Sequence, residues 1–425
     1  MAEGAVAVVT RRAAERVRAG HLWVYRSGVE KLRPGEGEAE VAGGTLVTVV
    51  DGRGIALGTA LFSDASEICL RMVSRKAGVG RSEYLAEVRE RLGAAIRLRE
   101  VVAAETFSGD ETNACRLVFS EADGLPGIVI DRYNGLVVVQ LLTQGTAQSD
   151  VRGVAAEVLG GQPWVETVVE RPDARMRELE RLEAATERPL FTRGVAELRS
   201  VFTINGVRFH FDASAGQKTG AFLDQRLNYA AAEQWVARSG ATGRALDVCT
   251  YQGGFALHLA RVCERVTGVD ASRAALEVAD RNLDLNAAAG SGLRAGPGKA
   301  KVDWIEADAF ELLRDFEEAG ERFDAVVLDP PAFAKSKRAA EGALRGYKEL
   351  NLRALKMIRA GGTLVTCSCS HHVGLEDFVG VVRAAAEDAG RRVQVGEIRG
   401  AAPDHPAILT LPETSYLKCL ICRVE

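Results

Sequence analysis

The sequence predicts an α/β protein whose carboxyl-terminal half forms a largely parallel, doubly wound sheet, preceded by a small β-barrel and a central α+β domain. Three observations lead to this fold class. From Leu246 onward the chain repeats apolar strand, turn and amphipathic helix, which is typical of parallel sheets. The first 75 residues instead hold short β-like runs divided by glycine-rich turns. The chain has 425 residues, which is more than a domain with one hydrophobic core normally contains, so several domains are expected.

The first two predicted domains cover residues 1–75 and 76–195. Short strands at close spacing indicate a barrel in the first domain. The second opens with a helix over 82–101, because its apolar residues recur on one face with charges opposite. The charged stretch 172–193 predicts a linker or an exposed helix before the boundary. The other predicted elements of the two domains are strands at 44–50, 55–62, 68–73, 114–120, 127–131, 136–142 and 165–170 and a helix at 149–159.

The third predicted domain, residues 196–425, carries the parallel sheet. Its strands are apolar runs separated by helices, and several of them end in a carboxylate or a thiol. The carboxyl ends of parallel strands meet at one edge of the sheet, where open α/β folds bind ligands. The predicted strands are 244–249, 265–270, 301–306, 324–329, 362–369, 393–398 and 416–424.

Composition limits the partners and the compartment. A formal charge of −4 argues against general attraction to polyanions, so any contact with nucleic acid must be a local patch. Eight cysteines scattered through a long chain favour reduced thiols and a cytoplasmic protein over a disulfide framework. Neither a signal peptide nor a membrane span is expected, since no apolar run of the required length occurs. The oligomeric state is open, a homodimer included.

A glycine pair follows the first strand of the third domain. Gly253 and Gly254 lie in a loop that begins at Asp247 and leads into a helix, and glycine lets a backbone approach a ligand closely. By itself such a turn is about as often purely structural. The loop lacks the Gly-x-Gly-x-x-Gly pattern of dinucleotide sites, so a nucleoside cofactor without phosphate fits better.

Acidic residues follow four strands of this sheet. Any one of them could simply cap a helix, and for a single residue the odds are roughly even. Capping does not require four in series, however, and Asp270 lies 23 residues after Asp247, about the spacing at which nucleotide-binding sheets present an acid to ribose hydroxyls. These residues are Asp247, Asp270, Asp308 and Asp329.

Two strand ends combine an acid with a thiol. One strand ends in Asp329-Pro330-Pro331-Ala332-Phe333, and the next reads Thr366-Cys367-Ser368-Cys369-Ser370. A carboxylate and a nucleophilic sulfur at one sheet edge indicate an enzyme. Cys367 and Cys369 lie on the same face of an extended strand, so spacing does not choose between them.

Together these motifs resemble the class I S-adenosylmethionine-dependent methyltransferases with their Rossmann-like fold, and more narrowly the bacterial 23S rRNA cytosine-C5 methyltransferases of the RlmI family. The segment 20–25, Gly-His-Leu-Trp-Val-Tyr, resembles the opening of the PUA domain in that family. The segment 216–226, Gly-Gln-Lys-Thr-Gly-Ala-Phe-Leu-Asp-Gln-Arg, resembles the entry to its catalytic domain. The resemblance runs along the whole chain. It implies S-adenosylmethionine as cofactor and large-subunit rRNA as partner.

The resemblance also implies roles for individual residues. Cys369 would be the nucleophile that adds to carbon 6 of cytosine, and Asp329 would hold the base at N3. Asp270 would bind the ribose hydroxyls and Asp308 the adenine amine. Cys367 would be a packed core thiol. The implied cofactor-binding residues are Asp247, Tyr251, Gly253, Gly254, Phe255, Asp270, Asp308, Ala309, Asp329 and Pro330.

Ala332 departs from the pattern of many RNA cytosine-C5 methyltransferases, which have a cysteine there to assist release. The base that removes the carbon 5 proton is therefore unidentified. Substrate contact or proton transfer is a hypothesis for four residues, although solvated charges and loop histidines are the more frequent explanation for each. They are Lys335, Lys337, His371 and His372.

Two other functions stay open. Asp-Pro-Pro before an aromatic residue is also similar to amino-group methyltransferases, so an amino- or ring-nitrogen RNA methyltransferase that needs no thiol is the first alternative. A non-catalytic RNA-binding or assembly factor is the second. No metal is expected, and Cys419 and Cys422 should point to opposite faces of their strand. Candidate RNA contacts are Arg11, Arg12, Arg16, Arg18, Trp23, Tyr25, Arg71, Arg75, Lys76 and Arg81.

Overall fold

The computed structural model describes residues 4–104, 111–185, 188–214, 221–288, 300–333 and 340–425. No helix of these residues has both the length and the apolar character that a membrane crossing needs. The described chain forms three main sheets and one hairpin.

The amino-terminal sheet has six strands, in the order β2-β6-β5-β4-β1-β3. Its inner face packs small apolar side chains such as Ala7, Val24 and Val47 into one core. The short β-like runs between glycine-rich turns predicted the last three strands, but the first three are short and were missed. The elements are β1 (Val6–Val9), α1 (Arg11–Arg18), β2 (Trp23–Tyr25), β3 (Val29–Arg33), β4 (Leu46–Val50), β5 (Ala56–Phe62) and β6 (Ile68–Ser74).

The central domain is α+β, as predicted. One long helix and a second helix cover a five-stranded sheet of order β11-β10-β9-β8-β7, in which only β9 and β10 run parallel. The charged stretch 172–193 contains a short helix and a two-residue strand. The elements are α2 (Arg81–Ala104), β7 (Ala114–Phe119), β8 (Ile128–Tyr133), β9 (Leu136–Leu141), α3 (Ser149–Gly160), β10 (Thr167–Glu170), α4 (Ala174–Glu180) and β11 (Phe191–Thr192).

A hairpin and a helix precede the large sheet. The hairpin consists of β12 (Arg199–Ile204) and β13 (Val207–Asp212) and turns through Asn205 and Gly206, both with positive φ. Its Phe202 and Phe209 rings stack 5.5 Å apart and pack into the core shared with the following helix α5 (Arg226–Ser239).

The large sheet has seven strands in the order β16-β15-β14-β17-β18-β20-β19. All pairs are parallel except those of β20, which runs antiparallel to both neighbours. The direction of winding reverses between β14 and β17, which is where such folds bind ligands. The elements are β14 (Arg244–Val248), α6 (Gly254–Leu259), β15 (Arg265–Asp270), α7 (Arg273–Ala288), β16 (Lys301–Glu306), α8 (Ala309–Glu318), β17 (Phe323–Leu328), α9 (Ala340–Met357), β18 (Ile358–Ser368), α10 (Leu375–Ala389), β19 (Val393–Arg399) and β20 (Lys418–Val424).

Apolar side chains cover both faces of this sheet, which explains why its strands were visible in the sequence. Val327 and Cys419 belong to the core on one face, with α5, α6 and the hairpin. Val326 and Cys422 belong to the core on the other face, with α9 and α10. Cys419 and Cys422 therefore point in opposite directions, as predicted. The predicted domain limits at residues 75 and 195 stay predictions.

Buried ion pairs join the three parts of the chain. Glu121 in the central domain accepts hydrogen bonds from Trp23 Nε1 (2.8 Å) and Arg71 Nη1 (2.5 Å) of the amino-terminal sheet. Burial by itself would raise the pKa of Glu121, but Arg71 and these hydrogen bonds hold it below its ordinary value. Trp23 and Arg71, proposed above as RNA contacts, therefore serve a junction within the molecule.

Asp404 forms the second junction, between the central domain and the large sheet. Its Oδ2 accepts a hydrogen bond from the Arg116 amide at 2.9 Å, and its Oδ1 lies 3.4 Å from Arg226 Nη2. Arg99 of α2 donates to its backbone carbonyl at 2.9 Å. Burial opposes ionisation, yet His405 and Arg226 outweigh it and keep the pKa of Asp404 below its ordinary value.

Replacing Asp404 with Asn is expected to lower the thermal unfolding midpoint by roughly 5–10 °C, because the buried Arg226 would lose its ion pair with Asp404. Since the pKa of Asp404 is depressed, the stabilisation is present above the unfolded value of 3.8 and is lost as the pH falls below it. The difference between the two proteins should therefore shrink in acid. Asp388→Asn, which removes an exposed pair with Lys348, is the control and should change the midpoint little. An equal effect of both substitutions would contradict the assignment.

Candidate active site

The loop after β14 adopts an unusual backbone. Cys249, Tyr251 and Gly253 have φ of 64°, 51° and 87°, so three residues of five are left-handed. Asp247 holds this turn from below: its Oδ2 accepts hydrogen bonds from Thr250 Oγ1 (2.5 Å) and from the Ala256 amide (2.9 Å). Full burial raises the pKa of Asp247 to about 7. Asp247 therefore shapes the loop and the start of α6.

Asp270 connects the end of β15 to the same loop. Its Oδ2 accepts a hydrogen bond from the Tyr251 amide at 2.9 Å, and its Oδ1 accepts one from the Ser272 amide at 2.9 Å. The side chain is partly exposed at the sheet edge. The structure thus brings Asp270 and the glycine loop together.

Asp308 is a helix cap, which is the structural role considered above for each acid. It caps α8, because its Oδ1 accepts hydrogen bonds from the amides of Phe310 (2.9 Å) and Glu311 (3.2 Å). The carboxylate is exposed, and Ala309 beside it is half-buried. The Phe310 ring lies 5.9 Å from the Phe333 ring, so the end of β16 and the loop after β17 meet at this point.

Asp329 faces the glycine loop across a small cavity. Its amide donates to the Val248 carbonyl at 3.2 Å, and its Oδ1 accepts a hydrogen bond from Gln225 Nε2 at 2.9 Å. Aromatic and small residues form most of the cavity wall, with few polar groups, as is usual for small-molecule sites. The cavity is lined by Phe202, Ile204, Phe209, Ala221, Phe222, Tyr229, Cys249, Thr250, Tyr251, Gln252, Gly254, Phe255 and Asp329.

Gln225 was missed as a separate site residue, although it lies in the segment 216–226 singled out above. It is buried, and its Oε1 accepts a hydrogen bond from Asn228 Nδ2 at 2.6 Å. Asn228 in turn accepts one from Arg399 Nε at 3.0 Å. This chain of hydrogen bonds fixes which end of the Gln225 amide meets Asp329. Residues 216–220 of the segment lie outside the described residues.

Cys369 lies directly after β18, beside the loop that follows β17. Its Sγ is 3.8 Å from the carbonyl oxygen of Pro330, and the residue is half-buried. Cys367, two residues earlier, is fully buried opposite Cys419, and burial raises its pKa well above the ordinary value. The tertiary structure therefore separates two cysteines that the sequence pattern could not. Cys369 contacts the Asp329-Pro330 loop through the Pro330 carbonyl.

Several groups around Cys369 had no signal in the sequence. Tyr347 of α9 and Ser370 share a hydrogen bond of 2.9 Å between their hydroxyls. Lys418 of β20 donates to the Ser370 carbonyl at 2.7 Å. These contacts depend on the packing of α9 and on the antiparallel register of β18 and β20, which connect segments far apart in the chain.

The remaining hypotheses from the sequence have mixed outcomes. His371 and His372 are exposed, and the His371 ring nitrogen lies 3.0 Å from the Glu413 carbonyl. Lys335 and Lys337 lie outside the described residues. Within the described ranges, no group of three or more His, Cys, Asp or Glu side chains could hold a metal.

Most of the candidate RNA-binding arginines have acidic partners. Arg18 pairs with Asp51, and Arg81 binds Asp150 through two nitrogens. Arg16 is different: its Nη2 contacts His21 Nε2 at 2.5 Å, and its guanidinium lies 5.8 Å from the centre of the Tyr25 ring. His21 Nε2 lies 3.9 Å from Glu413 Oε1, so this group reaches the large-sheet domain.

Comparisons with known proteins match this architecture. Residues 7–75 match the model of a PUA-like domain, and residues 175–420 match that of an S-adenosylmethionine-dependent methyltransferase. Ribosomal RNA large subunit methyltransferase I of Klebsiella pneumoniae is 34% identical over 413 residues, which cover 95% of this chain and 94% of the relative. The protein of the same name from Photobacterium profundum is 36% identical over 421 residues, 96% of each chain. The chain belongs to the ribosomal RNA large subunit methyltransferase I family.

Solved structures agree with the family fold. A Streptococcus mutans structure described as an S-adenosylmethionine-dependent methyltransferase superposes with a TM-score of 0.76 over 98% of this chain and 99% of that one, at 16% identity. A second structure, of a methyltransferase complexed with SAH, gives 0.75 over the same shares. At this identity the likeness shows the fold alone. The fold class predicted from the sequence is therefore confirmed, and the cofactor of this methyltransferase family is S-adenosylmethionine.

Gly254→Ala tests the cavity. A Cβ at this position would lie 2.5 Å from Tyr229 Cζ. The buried tyrosine ring, which is part of the cavity wall, would therefore have to move. We expect SAH binding, measured by calorimetry, to weaken roughly tenfold or more. Gly153→Ala makes the same chemical change in open space on α3 and should leave binding unchanged. Unaltered affinity in a folded Gly254→Ala protein would remove this cavity from the cofactor site.

Proposed function

We propose that the protein transfers a methyl group from S-adenosylmethionine to carbon 5 of a cytidine in 23S rRNA through a covalent adduct with Cys369. The observation that carries this proposal is the half-buried thiol of Cys369, which contacts the Pro330 carbonyl. The neighbouring Asp329 lines the cavity. An amino- or ring-nitrogen methyltransferase has no use for a thiol there. The large-subunit rRNA of the named relatives supplies the substrate class.

The chemistry explains why a thiol and an acid are both needed. Carbon 5 of cytosine is a weak nucleophile until a thiolate adds to carbon 6, which forms the sulfur–carbon bond and makes an enamine. The cofactor supplies an electrophilic methyl group. Asp329 holds the ring at N3 while charge changes there, and loss of the carbon 5 proton then lets the carbon–sulfur bond break. Gln225 keeps Asp329 oriented for this contact.

The residues of the edge fit the cofactor. Asp270 would bind the ribose hydroxyls; the hydrogen bond that it accepts from the Tyr251 amide and its open position at the sheet edge support this role. Asp308 and Ala309 form the adenine side, where the carboxylate is exposed even while it caps α8. Asp247 acts beneath the loop, because its bonds go to Thr250 and Ala256. The remaining members of the proposed set are Tyr251, Gly253, Gly254, Phe255, Asp329 and Pro330.

The PUA-like domain gives the RNA a second contact near the thiol. His21 lies 3.9 Å from Glu413, and the Glu413 carbonyl lies 3.0 Å from His371, two residues after Cys369. An RNA with a base or phosphate bound at Arg16 and Tyr25 would therefore extend toward the candidate active site. Ribosomal RNA as substrate, and eight free cysteines, fit a cytoplasmic enzyme.

Cys369→Ala tests the thiol directly. Methylation of unmodified large-subunit rRNA should fall by at least roughly a thousandfold, because no enamine can form without the adduct. The measurement is transfer of labelled methyl, followed by nucleoside analysis for 5-methylcytidine. Cys367→Ala, which removes a buried thiol of the same strand, should retain activity. Label in another nucleoside, or full activity of Cys369→Ala, would favour the amino-methyltransferase alternative; RNA binding without SAH binding would favour the assembly factor.

Arg16→Ala tests the proposed RNA face. We expect RNA affinity to fall several-fold and its salt dependence to weaken, while SAH affinity stays constant. Arg11→Ala is the matched control, since Arg11 lies on the same helix but is exposed and paired with Glu15. Filter binding with an rRNA fragment at several salt concentrations measures both. Equal losses in the two variants would indicate general attraction to phosphate instead of a defined face.

A further inference from the structure

Lys418 occupies a position that is unusual for a lysine. It begins β20, whose antiparallel register places it opposite Ser368, the residue before Cys369. Only 7% of it is exposed. Its Nζ donates to the carbonyls of Ser370 and Tyr416, each at 2.7 Å. The ammonium therefore links the backbone directly after Cys369 to the backbone before β20. These two bonds use two of its three N–H donors.

No carboxylate of the described residues lies within 4 Å of Lys418 Nζ. Buried ammonium groups are costly unless an anion faces them, so the identity of that anion matters. Burial lowers the pKa of Lys418 to about 8, and the Cys369 sulfur is the charge that acts against this shift. The lysine is then still mainly protonated at neutral pH.

Among the residues that the structure describes, the other titratable groups near Cys369 do not supply this anion. Burial raises the pKa of Tyr347 on α9, and that of Tyr416 before β20 rises well above its ordinary value, so both stay neutral. Asp224 accepts the hydrogen bond of the Tyr416 hydroxyl. The pKa of His371 is lowered because, although the residue is exposed at the surface, the protein around its ring displaces water from it, and Lys418 and His372 add to the effect. Asp329 is engaged by Gln225.

We propose that Lys418 is a positioning residue that holds Cys369 in its thiolate form and fixes the strand end that presents it. The thiol proton passes to water, the sulfur keeps the electron pair, and Lys418 keeps its own proton as the counter-charge. The inference rests on the proposed function, in which this thiolate adds to the base.

The test is the rate at which iodoacetamide alkylates Cys369, followed by mass spectrometry of its peptide between pH 6 and 10, without cofactor or RNA. Lys418→Gln keeps a donor for the Ser370 carbonyl but removes the charge. We expect the midpoint of its rate profile to rise by roughly one pH unit or more, with about tenfold slower alkylation at pH 7. Lys418→Arg should restore most of the rate. Lys348→Gln, at an exposed lysine on α9, should match the native protein.

Two results would overturn the proposal: an unchanged midpoint in a folded Lys418→Gln protein, or equal shifts in the Gln and Arg variants, which would indicate a structural role alone. Circular dichroism and SAH affinity check folding. If Lys418→Gln fails to fold, the Arg variant decides, because loss of alkylation there with the charge retained contradicts the charge effect. The proposed function fails separately: a shifted alkylation profile combined with an active Cys369→Ala enzyme would leave Lys418 acting on a thiol that methylation does not need.

Discussion

The parallel pairing of β14 with both β15 and β17 is the constraint on which the site depends. Asp247 lies opposite Gly268 on one neighbour and Val327 on the other. This register places the ends of three strands at one level, so the glycine loop, Asp270 and Asp329 meet at the same edge. A shift of one residue would turn Asp247 from beneath the loop to the opposite face. The loop that lines the cavity would then lose the carboxylate that supports it.

Several groups at this sheet edge are of kinds that usually lower the free energy of unfolding. Asp247 is fully buried, three residues of the following loop are left-handed, and Lys418 is a buried ammonium. Strain and buried charge of this kind persist only where the surroundings over-determine them, and they are characteristic of functional sites. Here two apolar cores, one on each face of the sheet, supply the necessary stability.

The domains are connected by buried charges and not by apolar surface alone. Glu121 joins the amino-terminal sheet to the central domain, and Asp404 joins the central domain to the large sheet. A buried ion pair adds little to the free energy of unfolding compared with apolar packing, but removing one partner is strongly destabilising. Arrangements of the domains that separate these partners are therefore disfavoured. That geometry matters because the face with Arg16 and Tyr25 must lie near Cys369 if one RNA is to reach both.

The sequence by itself determined the fold class, the strands of the large sheet and the acids that follow them, because both faces of a parallel sheet are buried and its strands are continuous apolar runs. It could not show the β12–β13 hairpin, the part played by Gln225, or the choice between Cys367 and Cys369 without the family resemblance. It also did not show that Trp23 and Arg71, two candidate RNA contacts, bind Glu121. Only the tertiary structure showed the hairpin, the hydrogen bond from Gln225 to Asp329, the different burial of the two cysteines, and the contact of Lys418 with the Ser370 carbonyl. The physical reason is that register and interdomain packing join residues far apart in the chain, which local periodicity does not encode.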